Sequence, residues 1–119
     1  MLDVTPLQTA VDALADRLRS LPQSRLDRGA AAEALALARQ LATRAQLIER
    51  PGEPPYELPD AGMFAAGDQL AVAGHDLVEA LRAAAAHTAD GTANSDAKVA
   101  PADELAEALR CVRAVADRY

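Results

Sequence analysis

The residues best suited to chemistry form a polar strip on one predicted helix. His75, Glu79 and Arg82 follow one another at spacings of four and three residues, so on an α-helix their side chains can meet. A histidine beside a carboxylate is suited to act as a general base or to accept a phosphoryl group. The same spacing is typical of a solvated face with a Glu79–Arg82 ion pair, and we favour this second interpretation.

The run GHDLVE at residues 74–79 bears on the phosphoryl hypothesis. In length and predicted topology the chain resembles histidine phosphotransfer domains, which are four-helix bundles with an exposed histidine. In that family a Leu-Lys-Gly segment typically follows the histidine and leaves room and positive charge for the phosphoryl group. Here acidic and branched residues follow His75, so the resemblance is limited to size and topology. A His75-based phosphotransfer-like protein is therefore only an alternative function.

Other spacings predict no metal, cofactor or catalytic residue. The histidines, His75 and His87, are not part of Glu-x-x-His pairs, which di-iron bundles require. Alternating polar residues from 90 to 96 lack the essential features of a calcium loop, because Ser95 and Pro101 occupy the glycine and glutamate positions. A single cysteine, Cys111, excludes an internal disulfide. We therefore predict that the protein is not an enzyme.

Composition favours helix and opposes polyanionic partners. Of 119 residues, 50% are hydrophobic but only 3% are aromatic, and alanine makes up roughly a quarter of the chain. The net charge of −6 predicts no binding to nucleic acid or to an anionic membrane. The sequence contains neither a signal-peptide pattern at its start nor an apolar run of about eighteen residues, so we predict a cytoplasmic protein. The bias toward Ala, Arg and Asp suggests a bacterial source.

The periodicity of apolar residues predicts a single all-α domain, an antiparallel four-helix bundle. The expected helices cover about 5–21, 25–49, 61–87 and 101–118. A proline-rich connection at 50–60 and a flexible loop at 88–100 separate the last three helices. An alternative is a helical hairpin that completes its core by forming a homodimer, and we favour the monomeric fold over it.

The third predicted helix has the most extensive apolar face. Its seam repeats every three or four positions, with Phe64 beside it, and comprises Met63, Gly67, Leu70, Gly74, Leu77, Leu81 and Ala84. Each glycine inside a helix costs up to about 1 kcal/mol relative to alanine. Two glycines seven residues apart on one seam therefore predict a close helix crossing, which would compensate for that cost.

The proline-rich connection is the second candidate site. Four prolines between residues 50 and 60 keep it out of a helix and make it extended and stiff. It is long for a link between neighbouring helices, so we expect it to cross the end or side of the bundle with Tyr56 and Leu58 packed inward. The same two residues are a candidate docking segment, because stiff extended segments bind at low entropic cost.

These observations favour a non-catalytic module that acts through contacts of its helix faces. The expected partner is another protein or a second copy of the chain. One alternative is a helical bundle that binds a small apolar ligand between its helices, although a core poor in aromatic residues offers few walls for such a site.

Overall fold

The computed structural model of the protein describes residues 2–89 and 100–119, which form four α-helices and no β-strand. In chain order the helices are α1 (Thr5–Ser20), α2 (Ala31–Glu49), α3 (Ala66–Ala89) and α4 (Pro101–Ala116). They pack around a shared apolar core, so the prediction of an all-α four-helix bundle is confirmed. Of the predicted loop at 88–100, residues 90–99 lie outside the described residues.

The chain enters α2 through a break at Gly29. A short helical turn (Gln23–Arg25) leads into a kinked turn (Leu26–Ala30), in which Gly29 has a φ of +133° and is not helical. Residues with a side chain rarely adopt this backbone angle, whereas glycine does so readily. The predicted helix at 25–49 is therefore interrupted at this glycine, and its regular part begins at Ala31.

The proline-rich segment runs back along α2 instead of turning directly into α3. We call residues 51–59 the strap. The backbone of Tyr56 is hydrogen-bonded to Gln46, and the carbonyl of Leu58 accepts a hydrogen bond from Arg39, which lies two helical turns earlier in α2. The strap therefore crosses the side of the bundle, as the length of the connection predicts.

This return path makes α2 and α3 parallel. The turn that precedes α3 (Met63–Ala65) contacts the turn that leads into α2 (Leu26–Ala30), so the two helices start at the same end of the bundle. The prediction of antiparallel neighbours throughout is wrong for this pair. The physical reason is the strap, because a long crossover lets consecutive helices point the same way, whereas a short turn would reverse the chain.

Two glycines of α3 face α1 and let the two helices meet closely. A Cβ atom on Gly74 would overlap both methyl groups of Val11, and one on Gly67 would lie 3.1 Å from the carbonyl oxygen of Ala15. The structure thus contains the predicted close crossing. Since residue numbers rise along α3 as they fall along α1, these two helices are antiparallel.

The core follows the predicted seams closely. Side chains that are less than 2% exposed come from all four helices and include Leu7, Leu14, Leu41, Leu70, Leu77, Leu81 and Val112. Each such side chain stabilises the fold by about 1.5–3 kcal/mol through loss of contact with water. Phe64 is an exception, because it is 70% exposed although we predicted it beside the α3 seam. It lies in a 3₁₀ turn, where three residues per turn displace it from the face that α-helical spacing predicts.

A partly buried ion pair attaches the start of α4 to α2. Glu104 pairs with Arg44 at 2.5 Å, and the two side chains are only 15% and 20% exposed. The apolar contact of α4 is narrow, because Ala108 and Val112 are its buried residues. The ion pair therefore supplements a thin apolar seam at this edge of the bundle.

Polar contacts also fix the other end of α4. Arg17 of α1 donates a hydrogen bond of 3.0 Å to the carbonyl of Ala116, which satisfies one of the unpaired groups that every helix end presents. The hydroxyl of Tyr119 donates to Glu33 at 2.9 Å, and the guanidinium of Arg25 lies over the tyrosine ring. Desolvation raises the pKa of Tyr119, and the bond to the Glu33 carboxylate adds to this effect.

We expect Gly74→Ala to lower the free energy of unfolding by about 1–2 kcal/mol. Overpacking against Val11 costs about 1–3 kcal/mol, while the higher helix propensity of alanine returns up to about 1 kcal/mol. Urea unfolding measures the difference. Combining Gly74→Ala with Val11→Ala should destabilise less than the sum of the two single changes, because the shortened side chain makes room for the new methyl group. If the losses in the free energy of unfolding simply add in the double variant, the helices separate freely at this point and the close contact is wrong.

We expect the bond between Tyr119 and Glu33 to make stability fall at high pH. The folded-state pKa is raised, so folding favours the protonated phenol. The contribution is complete below the unfolded pKa of about 10 and is lost as pH rises through the folded pKa. Urea unfolding between pH 8 and pH 12 should show a steeper loss for the wild type than for Tyr119→Phe, which has no proton to lose. Parallel curves for the two proteins would contradict the assignment.

Candidate functional site

The polar strip predicted on α3 is divided between two helices. The Nε2 atom of His75 lies 2.8 Å from an Asp12 carboxylate oxygen on α1, and both side chains are about half exposed. Glu79 and Arg82 form their own ion pair at 2.7 Å. The predicted pair within α3 is therefore present, whereas the histidine has its carboxylate partner on the neighbouring helix.

The surroundings of His75 are acidic and disfavour phosphoryl transfer. The nearest carboxylate contacts the imidazole directly, and a negative charge there opposes an incoming phosphoryl anion. Two turns further along the same groove, Arg19 of α1 bridges Asp16 and Asp68 at 3.0 and 2.8 Å. The bond to Asp68 raises the pKa of Arg19. Two polar contacts, the hydrogen bond between His75 and Asp12 and the ion pair between Arg19 and Asp68, thus join α1 to α3 along this groove.

The strap is held through its backbone by side chains of α2 and α3. Gln46 bonds to both the N–H and the carbonyl of Tyr56, at 2.8 and 3.1 Å. Arg39 donates to the carbonyl of Leu58 at 2.8 Å and also lies 3.3 Å from the Glu57 carboxylate. These contacts define the path of an extended segment that forms no hydrogen-bond ladder of its own.

A further hydrogen bond ties the strap to α3. The two candidate docking residues, Tyr56 and Leu58, point in different directions. Gln69 donates to the carbonyl of Pro59 at 2.8 Å. Leu58 packs partly against the core, as predicted. Tyr56 does not pack inward, because its side chain is 64% exposed. Of the two predicted docking residues, Leu58 is therefore an anchor and Tyr56 faces solvent.

The described residues show no arrangement that matches a metal or enclosed ligand site. Among residues 2–89 and 100–119, no three His, Cys, Asp or Glu side chains lie close enough to hold a metal ion. A hollow of about 470 Å³ lies on the outer face of α4, between Leu109, Arg110 and Arg113. It is open to solvent and is lined by one helix alone, so it does not correspond to a ligand site between helices.

Three partners of the candidate residues were not found from the sequence. Asp12 had a detectable signal, because Asp12, Asp16 and Arg19 repeat on α1 the four-and-three spacing of the strip on α3. Two such strips suggest facing helices with complementary charges. Gln46 and Arg39 gave no signal, since a glutamine or arginine on a helix surface says nothing about a distant strap.

We expect Gln46→Ala to loosen the strap without unfolding the bundle. The change removes two hydrogen bonds, each worth about 0.5–1.5 kcal/mol, so the Tyr56 amide proton should exchange with solvent roughly fivefold faster or more. Hydrogen exchange followed by NMR measures this rate, and amides of the buried α1 turn near Leu14 should keep theirs. Gln40→Ala, an exposed change on the same helix, is the matched control. Equal Tyr56 exchange in both variants would contradict the tether.

Comparison with known proteins gives no template for this arrangement. The chain matches no known protein family, no curated protein and no solved structure. Within the described ranges, none of the helices combines the length and apolar character that crossing a membrane requires.

Proposed function

We propose that the protein is a non-catalytic interaction module that binds another protein or a second copy of itself through α2, α3 and the segment between them. The observation that supports this is the distribution of exposed apolar side chains. In the described part of the chain, the large apolar residues that are highly exposed are Leu47, Tyr56, Phe64 and Val72, at 48%, 64%, 70% and 61%. Neither α1 nor α4 contributes a residue to this set.

Single exposed apolar residues are ordinary on protein surfaces, but these four all lie in one half of the bundle. Leu47 is on α2, Tyr56 on the strap, Phe64 in the turn before α3, and Val72 on α3. The two highly exposed aromatic side chains, Tyr56 and Phe64, therefore both lie in this half of the bundle. Tyrosine contributes strongly to binding when a partner buries it, because its ring brings a large contact area and little side-chain entropy.

The charge balance narrows the class of partner. Eighteen acidic residues against twelve basic ones oppose binding to nucleic acid or to an anionic membrane surface. A protein partner is consistent with this balance, and a cytoplasmic setting suits the lone Cys111, which is a free thiol. No contact at His75 favours a phosphotransfer role, and no enclosed hollow among the described residues favours an apolar ligand.

A fourfold change to serine at Leu47, Tyr56, Phe64 and Val72 tests the proposal. All four side chains are exposed, so the fold should survive, which circular dichroism and urea unfolding check. We expect the fourfold variant to bind the partner of the wild type with an affinity that is at least tenfold lower. Two measurements cover the two classes of partner: sedimentation velocity for a second copy, and quantitative capture followed by binding of the purified captured protein.

The matched control replaces three exposed alanines of α4, Ala102, Ala106 and Ala114, with serine. This control should behave as the wild type in both measurements. If the fourfold variant keeps every partner and the same oligomeric state as the wild type, the assignment of the interaction to this half of the bundle is wrong.

A further inference from the structure

The strap is ordered before any partner arrives. Each proline fixes its own φ near −65° and restricts the residue before it to extended backbone. Pro54, Pro55 and Pro59 impose this on most of the segment, and the bonds from α2 and α3 hold the remainder. A partner that binds this segment therefore loses little affinity to the ordering of a flexible chain.

The anchoring leaves most of the strap's side chains free for contact. The bundle bonds to the carbonyls of Tyr56, Leu58 and Pro59. It also holds two strap side chains, because Leu58 packs against the core and the Glu57 carboxylate lies 3.3 Å from Arg39. A connection that served only as a brace would need those anchors but would not need an aromatic ring that is 64% exposed. The bundle thus displays a proline-rich extended segment with its aromatic ring facing outward.

We propose that the strap is the recognition element of this module, and that its partner is a protein domain with a groove lined by aromatic rings and bordered by basic side chains. This inference rests on the proposed function. Aromatic grooves accept extended proline-rich segments, because proline rings and aromatic faces fit together and the ligand is already stiff. The basic border follows from charge, since Glu53 and Glu57 are exposed on either side of Pro54, Pro55 and Tyr56, and Glu57 stays 73% exposed although it lies beside Arg39.

The test uses the intact protein and purified domains that read proline-rich segments, namely a panel of SH3, WW and EVH1 domains. Isothermal titration calorimetry measures affinity, and NMR shifts of the protein locate the contact. We expect micromolar binding to at least one domain, with shifts centred on Tyr56. Tyr56→Ser should weaken it at least tenfold, as loss of a buried interface tyrosine does. Ala106→Ser, an exposed change on α4 outside the proposed interaction surface, should leave the affinity unchanged.

A second variant separates recognition of the strap from loss of one ring. Pro54→Ala combined with Pro55→Ala keeps Tyr56 but relaxes the backbone, and we expect a loss of affinity of several-fold. Circular dichroism and urea unfolding verify that both variants keep the bundle. Higher salt should weaken binding in the wild type, because the acidic strap meets a basic border.

Several outcomes would overturn the inference. Absence of binding to every domain of the panel would do so, as would equal affinity for the wild type and Tyr56→Ser. Self-association that disappears in Tyr56→Ser would assign the strap to a second copy instead. If a native partner is lost from the fourfold variant described above but binds Tyr56→Ser and the double proline variant normally, this inference fails while the proposed function stands.

Discussion

The bundle depends on the close approach of α1 and α3 at Gly74. Packed helices usually stay about 8–10 Å apart because side chains fill the space between them. Here Gly74 presents only a hydrogen atom to Val11, and a methyl group in its place would overlap the valine side chain. Dispersion forces act only over short distances, so this contact brings the leucine rows of both helices into register. The pairs of His75 with Asp12 and of Arg19 with Asp68 are consequences of the same alignment.

The strap is the second constraint, and it determines the topology. The segment is not helical, and its bonds to Arg39 and Gln46 hold it along the outside of α2, so it delivers the chain to the end where α2 began. The two central helices are therefore parallel, and the bundle carries an extended peptide on its surface. Its anchors are Gln46, Arg39 and Gln69, which bond to backbone groups. Because backbone groups supply these bonds, the exposed side chains of the strap are available to a partner.

Polar side chains in the described helices are used mainly to join one element to another. His75 contacts Asp12 across the α1–α3 groove, and Arg44 contacts Glu104 between α2 and α4. The pair of Arg44 and Glu104 is partly buried, so its attraction has to offset the cost of desolvating two charges. We therefore interpret it as a contact that positions α4 and not as a reactive group. This use of polar residues is consistent with an interaction module.

The sequence by itself determined most of each helix, the buried faces and the glycine crossing, because apolar periodicity and the cost of Gly67 and Gly74 are local properties of the chain. It did not reveal the break at Gly29. It also indicated that residues 51–59 would be extended, since proline restricts its own backbone. Only the tertiary structure decided which helices are parallel, which carboxylate faces His75, and that Tyr56 points outward while Leu58 points inward. Those features depend on contacts between residues far apart in the chain, and no local spacing encodes which surfaces will meet once the core has formed.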